Sequence, residues 1–319
     1  MIWPPAFGYL LSVFMTSLCK EYYQFFLAQG VLGGISMGMV MAPAMASIGQ
    51  YFHKNRGAAM GLAVGGSSLG GVIFPIVLSK TLNNPKISFG WSVRIASFIM
   101  LPLILIGCAT IRARLPPRKG TFFLPRAFKN PIYLGLIGSI FLTMMGVFMP
   151  FFYLPTFGVA HGMSTQLASY IVAILNGASF FGRVIPGILG DRLGRLNMLF
   201  GAAICTGILI LCMQALDSNA SIILFSGLYG FFSGAIVSGM TVAFATVPDN
   251  PREIGTYMGM AMAVCSIAAL IGPPIDGAFV KKFAGFDQVA IFSGVVVLAG
   301  GVGILGVKTF LGKGLLAKE

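Results

Sequence analysis

Apolar and polar positions alternate in blocks rather than residue by residue. Ten long apolar stretches can be traced, at approximately 3–19, 22–50, 57–82, 90–111, 132–159, 166–189, 196–216, 221–247, 255–280 and 288–311. Short polar breaks rich in Lys, Arg, Asn, Pro and Gly separate them. Most stretches exceed the roughly 20 residues an α-helix needs to cross a bilayer. None shows the two-residue alternation of barrel strands, and lipid offers no partner for open backbone groups, so helices are predicted throughout. The pattern implies an all-α polytopic membrane protein.

One segment recurs. Gly57-Ala58-Ala59-Met60-Gly61-Leu62-Ala63 returns as Gly255-Thr256-Tyr257-Met258-Gly259-Met260-Ala261, with Gly, Met, Gly and Ala kept in register. The shared offset is 198 residues, and Pro75 and Pro273 keep it too. A repeat this long in an apolar chain implies two homologous helix bundles rather than a solenoid of short units.

Composition agrees. The chain is 57% hydrophobic and 9% charged, against about 25% charged in a soluble domain. The net charge of +13 is spread in a way that reports topology. With a cytoplasmic start, the inner loops and tail hold Lys54, Arg56, Arg112, Arg114, Arg118, Lys119, Arg126, Lys129, Arg192, Arg195, Arg252, Lys308, Lys313 and Lys318, while Lys20, Lys80, Lys86, Arg94, Lys281 and Lys282 fall outside. This positive-inside bias puts both termini in the cytoplasm and removes the reason to invoke nucleic acid. Residues 112–131, with three prolines before Pro131 and six basic residues, read as a cytoplasmic linker. They divide an N-terminal bundle of four helices (1–111) from a C-terminal bundle of six (132–319). No segment can hold a separate soluble domain.

Several chemistries are excluded. Cys19, Cys108, Cys205, Cys212 and Cys265 lie in or at the ends of apolar stretches without CxxC spacing and read as small buried hydrophobes. Trp3-Pro4-Pro5 stands where a cleaved signal would carry basic residues. Gly301-Val302-Gly303-Ile304-Leu305-Gly306 fits GxGxxG but lies inside the last apolar stretch with no preceding strand. His53 and His161 are the only histidines, too few for multi-histidine metal sites. No cofactor and no enzymatic activity are expected. The glycine-rich runs at 30–34, 65–71 and 227–239 serve close helix packing and provide smooth seams along which bundles could rock.

The loop Gly190-Asp191-Arg192-Leu193-Gly194-Arg195 carries more than the positive-inside rule requires, an aspartate held between arginines and glycines. It resembles the signature loop G-x-x-D-R-x-G-R of the major facilitator superfamily, which latches two bundles on the cytoplasmic side. The resemblance implies that family's fold, a pseudo-repeat of six plus six helices. Shifted back by 198 residues, the loop would fall just before Met1, and the last four apolar stretches fall on the first four. The expectation is therefore a four-plus-six chain whose first two helices are absent. Tyr51-Phe52-His53-Lys54-Asn55-Arg56-Gly57-Ala58-Ala59-Met60-Gly61-Leu62-Ala63, continuing through Gly66-Ser67 and Gly70, is similar to the monocarboxylate-transporter-like pattern, in its fungal permease-like form. Lys54 and Arg56 join the gating motif by this likeness, with Asn55 in place of a family basic residue.

Arg183 stands inside the apolar stretch 166–189. A guanidinium in hydrocarbon costs several kcal/mol, so it is expected to face the bundle interior, where it can hold a carboxylate bidentately. Asn176, Ser179 and Arg183 are spaced i, i+3, i+7 and are predicted on one helix face as the substrate-binding set. The resemblance implies the same role, since monocarboxylate transporters bind the substrate anion through an arginine at the matching position. Ser179 replaces the aspartate of proton-coupled members, and the first-helix lysine has no counterpart, so proton–lactate symport is not inferred and the proton stays an open partner. Asp276, after Pro273-Pro274, is expected to break or cap its span. Asn219-Ala220-Ser221 is a sequon too near the membrane to carry a glycan, and Arg94 beside Trp91 is an interface anchor.

The sequence thus implies a secondary transporter moving a small, monocarboxylate-like organic anion by alternating access, at the plasma membrane by family expectation. Two alternatives stand beside it: export of a secondary metabolite in a fungal biosynthetic pathway, and a truncated membrane protein that transports nothing.

Overall fold

The computed structural model describes residues 2–52, 54–112, 114 and 123–310. Ten long helices follow the ten apolar stretches: α1 (Trp3–Thr16), α2 (Tyr22–Tyr51), α3 (Arg56–Leu82), α4 (Phe89–Thr110), α5 (Pro131–Ala160), α6 (Thr165–Leu193), α7 (Arg195–Cys212), α8 (Asn219–Thr246), α9 (Ile254–Phe283) and α10 (Asp287–Phe310). Nine of these, among the described residues, are long and apolar enough to cross a membrane; α1 has 14 residues and falls short. His53, Arg118, Lys119, most of the expected linker, Lys313 and Lys318 lie outside the described residues.

Several helices carry irregular turns or internal prolines. α2 holds a π-helical stretch at Phe26–Gly33 and a proline at Pro43. α5 is interrupted at Phe148, two residues before Pro150, and the Val147 carbonyl accepts a hydrogen bond from the Tyr229 hydroxyl. Asp276 was expected to break or cap its span, and this is corrected: α9 continues past Pro273 and Pro274 to Phe283. Its carboxylate is wholly buried and ties α9 to α10 by accepting from the Ser293 hydroxyl at 2.9 Å.

The chain forms two compact units. The first comprises Met1–Tyr51 and Ile73–Arg118. In it α1 packs on α2 and α4, with Arg94 donating to the Ser17 hydroxyl at 3.1 Å and lying over the Trp91 ring.

The second unit comprises Phe52–Val72 and Lys119–Glu319. Its core is the packing of α8 on α6 and α7, and of α10 on α5 and α7. Small residues permit this, because lipid supplies no hydrophobic drive and association depends on close contact. A Cβ on Gly182 would fall on the Phe231 carbonyl, and one on Gly230 on the Leu175 carbonyl. Two glycines of the GxGxxG run do the same work: Gly301 faces Ile204 of α7, and Gly303 faces Ser139 of α5. The first half of α3 crosses the boundary expected from chain order and sits with the C-terminal helices.

Candidate functional site

The α3–α6 seam explains that grouping. Gly57, Gly61 and Gly65 recur every four residues and so share one face of α3. A Cβ on Gly57 would stand 2.5 Å from the Gly187 carbonyl oxygen, and one on Gly187 would stand 2.7 Å from the Gly57 carbonyl. Gly61 meets the Arg183 carbonyl in the same way, Gly65 meets Phe180, and Gly71 meets the Asn176 amide. The two backbones therefore touch over about one turn, from Gly57 to Gly61, and α6 side chains cover α3 beyond it at Gly65 and Gly71.

Asp191 closes one end of this seam. The N-terminus of a helix presents backbone N–H groups with no intrahelical partner and a partial positive charge. The Asp191 carboxylate accepts from Gly57 N and Ala58 N, both at 3.0 Å, and so caps α3 from another helix. It also accepts from Arg195 Nη2 at 3.1 Å and Nε at 3.3 Å. Gly194, with φ of 102°, makes the turn between α6 and α7 that brings Arg195 back onto Asp191. Arg56 is buried and donates to the Ala245 carbonyl at 2.9 Å, at the C-terminal end of α8 where the helix dipole favours a cation. Lys54 and Arg192 are exposed, and a Cβ on Gly190 would meet its neighbours only at ordinary contact distance.

Arg183 lies two turns further along. It is 7% exposed, and its Nη1 donates to the Val64 carbonyl at 2.9 Å and to the Ser67 hydroxyl. The Ser67 hydroxyl in turn donates to the same carbonyl at 2.8 Å. Nε is buried without a hydrogen-bond partner among the described residues, and no acidic side chain there pairs with the guanidinium. Asn176 lies on the same side, against Gly71, with its Nδ2 donating to the Val172 carbonyl at 2.9 Å. Ser179 is turned away: it is wholly buried against Gly234 of α8. The structure therefore brings Asn176 and Arg183 to the α3 side of the helix and sets Ser179 on the α8 side, as the 60° between positions i and i+3 permits.

The model of the Major Facilitator Superfamily matches residues 5–273 and 178–314. The chain belongs to this superfamily. Among its superfamily relatives, the aspyridones efflux protein apdF of Emericella nidulans is 51% identical over 316 residues, 98% of this chain and 65% of that protein. The agnestins efflux protein AgnL12 of Paecilomyces divaricatus is 42% identical over 98% of this chain and 72% of its own length. The chain thus spans about two thirds of the length of these two curated relatives. Two solved structures share the fold. The fucose:proton symporter FucP of E. coli has a TM-score of 0.73 at 14% identity, covering 96% of this chain and 83% of its own. The human organic anion transporter MFSD10 has a TM-score of 0.74 at 16% identity, covering 95% and 76%.

Sequence reasoning named Asp191, Arg195, Arg56 and Arg183 but not their partners. The Val64 carbonyl carries no side-chain signal, and Ser67 was noted only as part of a family pattern. The four-residue glycine spacing was the available clue to the α3 face.

Proposed function

We propose that this superfamily member exports a small acidic secondary metabolite by alternating access, with Arg183 as the residue that holds the cargo's anionic group. The observation that carries the reading is the Arg183 guanidinium, buried in a helix seam with no acidic side chain among the described residues to balance it. A cation in that position costs several kcal/mol and is kept where it faces a pathway. The relatives named as efflux proteins for aspyridones and agnestins support export of such a metabolite over movement of a lactate-like monocarboxylate. Asp191, Arg195 and Arg56, with the exposed Lys54 and Arg192, form the gating end of the α3–α6 seam, and Asn176 lines the route beside Arg183. The protein works at the plasma membrane with both termini in the cytoplasm, and its helices form an N-terminal and a C-terminal bundle.

The test is efflux from yeast expressing the complete cellular protein, preloaded with aspyridone, agnestin or labelled lactate. Export of an acidic metabolite that Arg183→Ala abolishes at equal expression is expected. Movement of lactate alone would restore the monocarboxylate reading, and no flux of any probe would overturn the proposal.

A further inference from the structure

The two oxygens that hold Arg183 belong to α3. Its Nη1 uses both hydrogens, one on the Val64 carbonyl and one on the Ser67 hydroxyl. The Ser67 proton is committed to the Val64 carbonyl, so the serine lone pairs are left to face the guanidinium. Arg183 is almost wholly buried, with Nε lacking a hydrogen-bond partner among the described residues, whereas Ser67 is exposed. In this closed seam there is no room for an anion on the Nε edge, and the guanidinium is satisfied only in part, by neutral acceptors.

We propose that the Val64 carbonyl and the Ser67 hydroxyl are stand-ins for the two oxygens of an anionic cargo, and that Ser67 is the positioning residue that lets the empty carrier close this seam. The inference rests on the reading of Arg183 as the cargo-holding residue. With cargo present, a carboxylate or another planar anion with two oxygens takes the guanidinium fork. When cargo leaves, α3 swings its own acceptors onto Nη1, so that the seam closes without stranding a bare cation. Guanidinium hydrogen bonds are thereby exchanged and not lost. Arg183 serves the seam or the cargo in turn, which links release of the anion to closure.

A carrier with this device reorients empty, and removing the device slows that step alone. Net export requires the empty return, whereas exchange of labelled for unlabelled cargo does not. The experiment compares wild type, Ser67→Ala and Ser67→Thr in proteoliposomes holding the complete cellular protein, with aspyridone as probe. Net efflux into probe-free buffer and one-for-one exchange are measured side by side. Ser67→Ala is expected to slow net efflux roughly tenfold, the lower end for one hydrogen bond to a charged group, while exchange stays within about twofold. Ser67→Thr, which keeps the hydroxyl, restores net efflux. Equal loss of both fluxes, or equal retention of both, overturns the inference. Absence of exchange in wild type instead counts against the transport reading on which it rests.

Discussion

Substituting Gly57 by alanine should pry the seam open at its capped end. The new Cβ would stand 2.5 Å from the Gly187 carbonyl oxygen, about 0.9 Å short of the 3.4 Å at which ordinary contact begins. Both atoms belong to helix backbone, so no rotamer change relieves the clash and the helices must separate. A separation of that size carries the Asp191 contacts from 3.0 Å to about 3.9 Å, beyond hydrogen-bond range. Losing a hydrogen bond to a carboxylate costs about 1.5–3 kcal/mol, and residual overpacking adds about 1 kcal/mol. The closed seam should therefore weaken by roughly 2.5–4 kcal/mol, a factor of about 70 to 900 in its equilibrium. Amide hydrogen exchange across residues 56–65 reads this directly, because protection reports the free energy of local opening. Gly66→Ala is the control, since a Cβ there meets open space. Exchange in Gly57→Ala within twofold of wild type, or equal acceleration in Gly66→Ala, would refute the reasoning.

Asp191→Asn keeps the shape but removes the charge and one acceptor, so exchange at Gly57 and Ala58 should accelerate about tenfold; unchanged protection would show that the carboxylate does not cap α3. Gly182→Ala places a Cβ on the Phe231 carbonyl and should lower stability by about 3 kcal/mol. Gly201→Ala, with no neighbour in reach, should leave the melting temperature unmoved. Comparing the two melting curves checks both.

The fold was legible because the bilayer imposes it. Ten apolar stretches became ten helices, since every backbone group in hydrocarbon must be bonded within its own segment. In the candidate site Arg183 stood out because charge is expensive inside an apolar stretch, and Asp191 through the signature loop that holds it. The pairing was not legible. Gly57 and Gly61 match Gly255 and Gly259 in the repeat, yet Gly61 is pressed on the Arg183 carbonyl while a Cβ on Gly259 would meet nothing. What a glycine touches is set by the opposing helix, and that is absent from the local pattern. Ser179 shows the same limit: spacing put it near the Arg183 face, and the closeness of Gly234 decided the side it occupies. Asp276 did not end its span because α9 runs on through Pro273 and Pro274 to Phe283, as membrane helices tolerate proline where neighbouring groups re-satisfy the backbone.

The most direct test of the account is the binding of aspyridone to the purified complete protein, compared between wild type and Arg183→Ala by equilibrium dialysis, with folding verified by melting temperature. The account predicts at least a roughly tenfold weaker affinity for the variant, the minimum for a lost charge-assisted contact. An equally stable Arg183→Ala protein that binds the probe as tightly as wild type would contradict it.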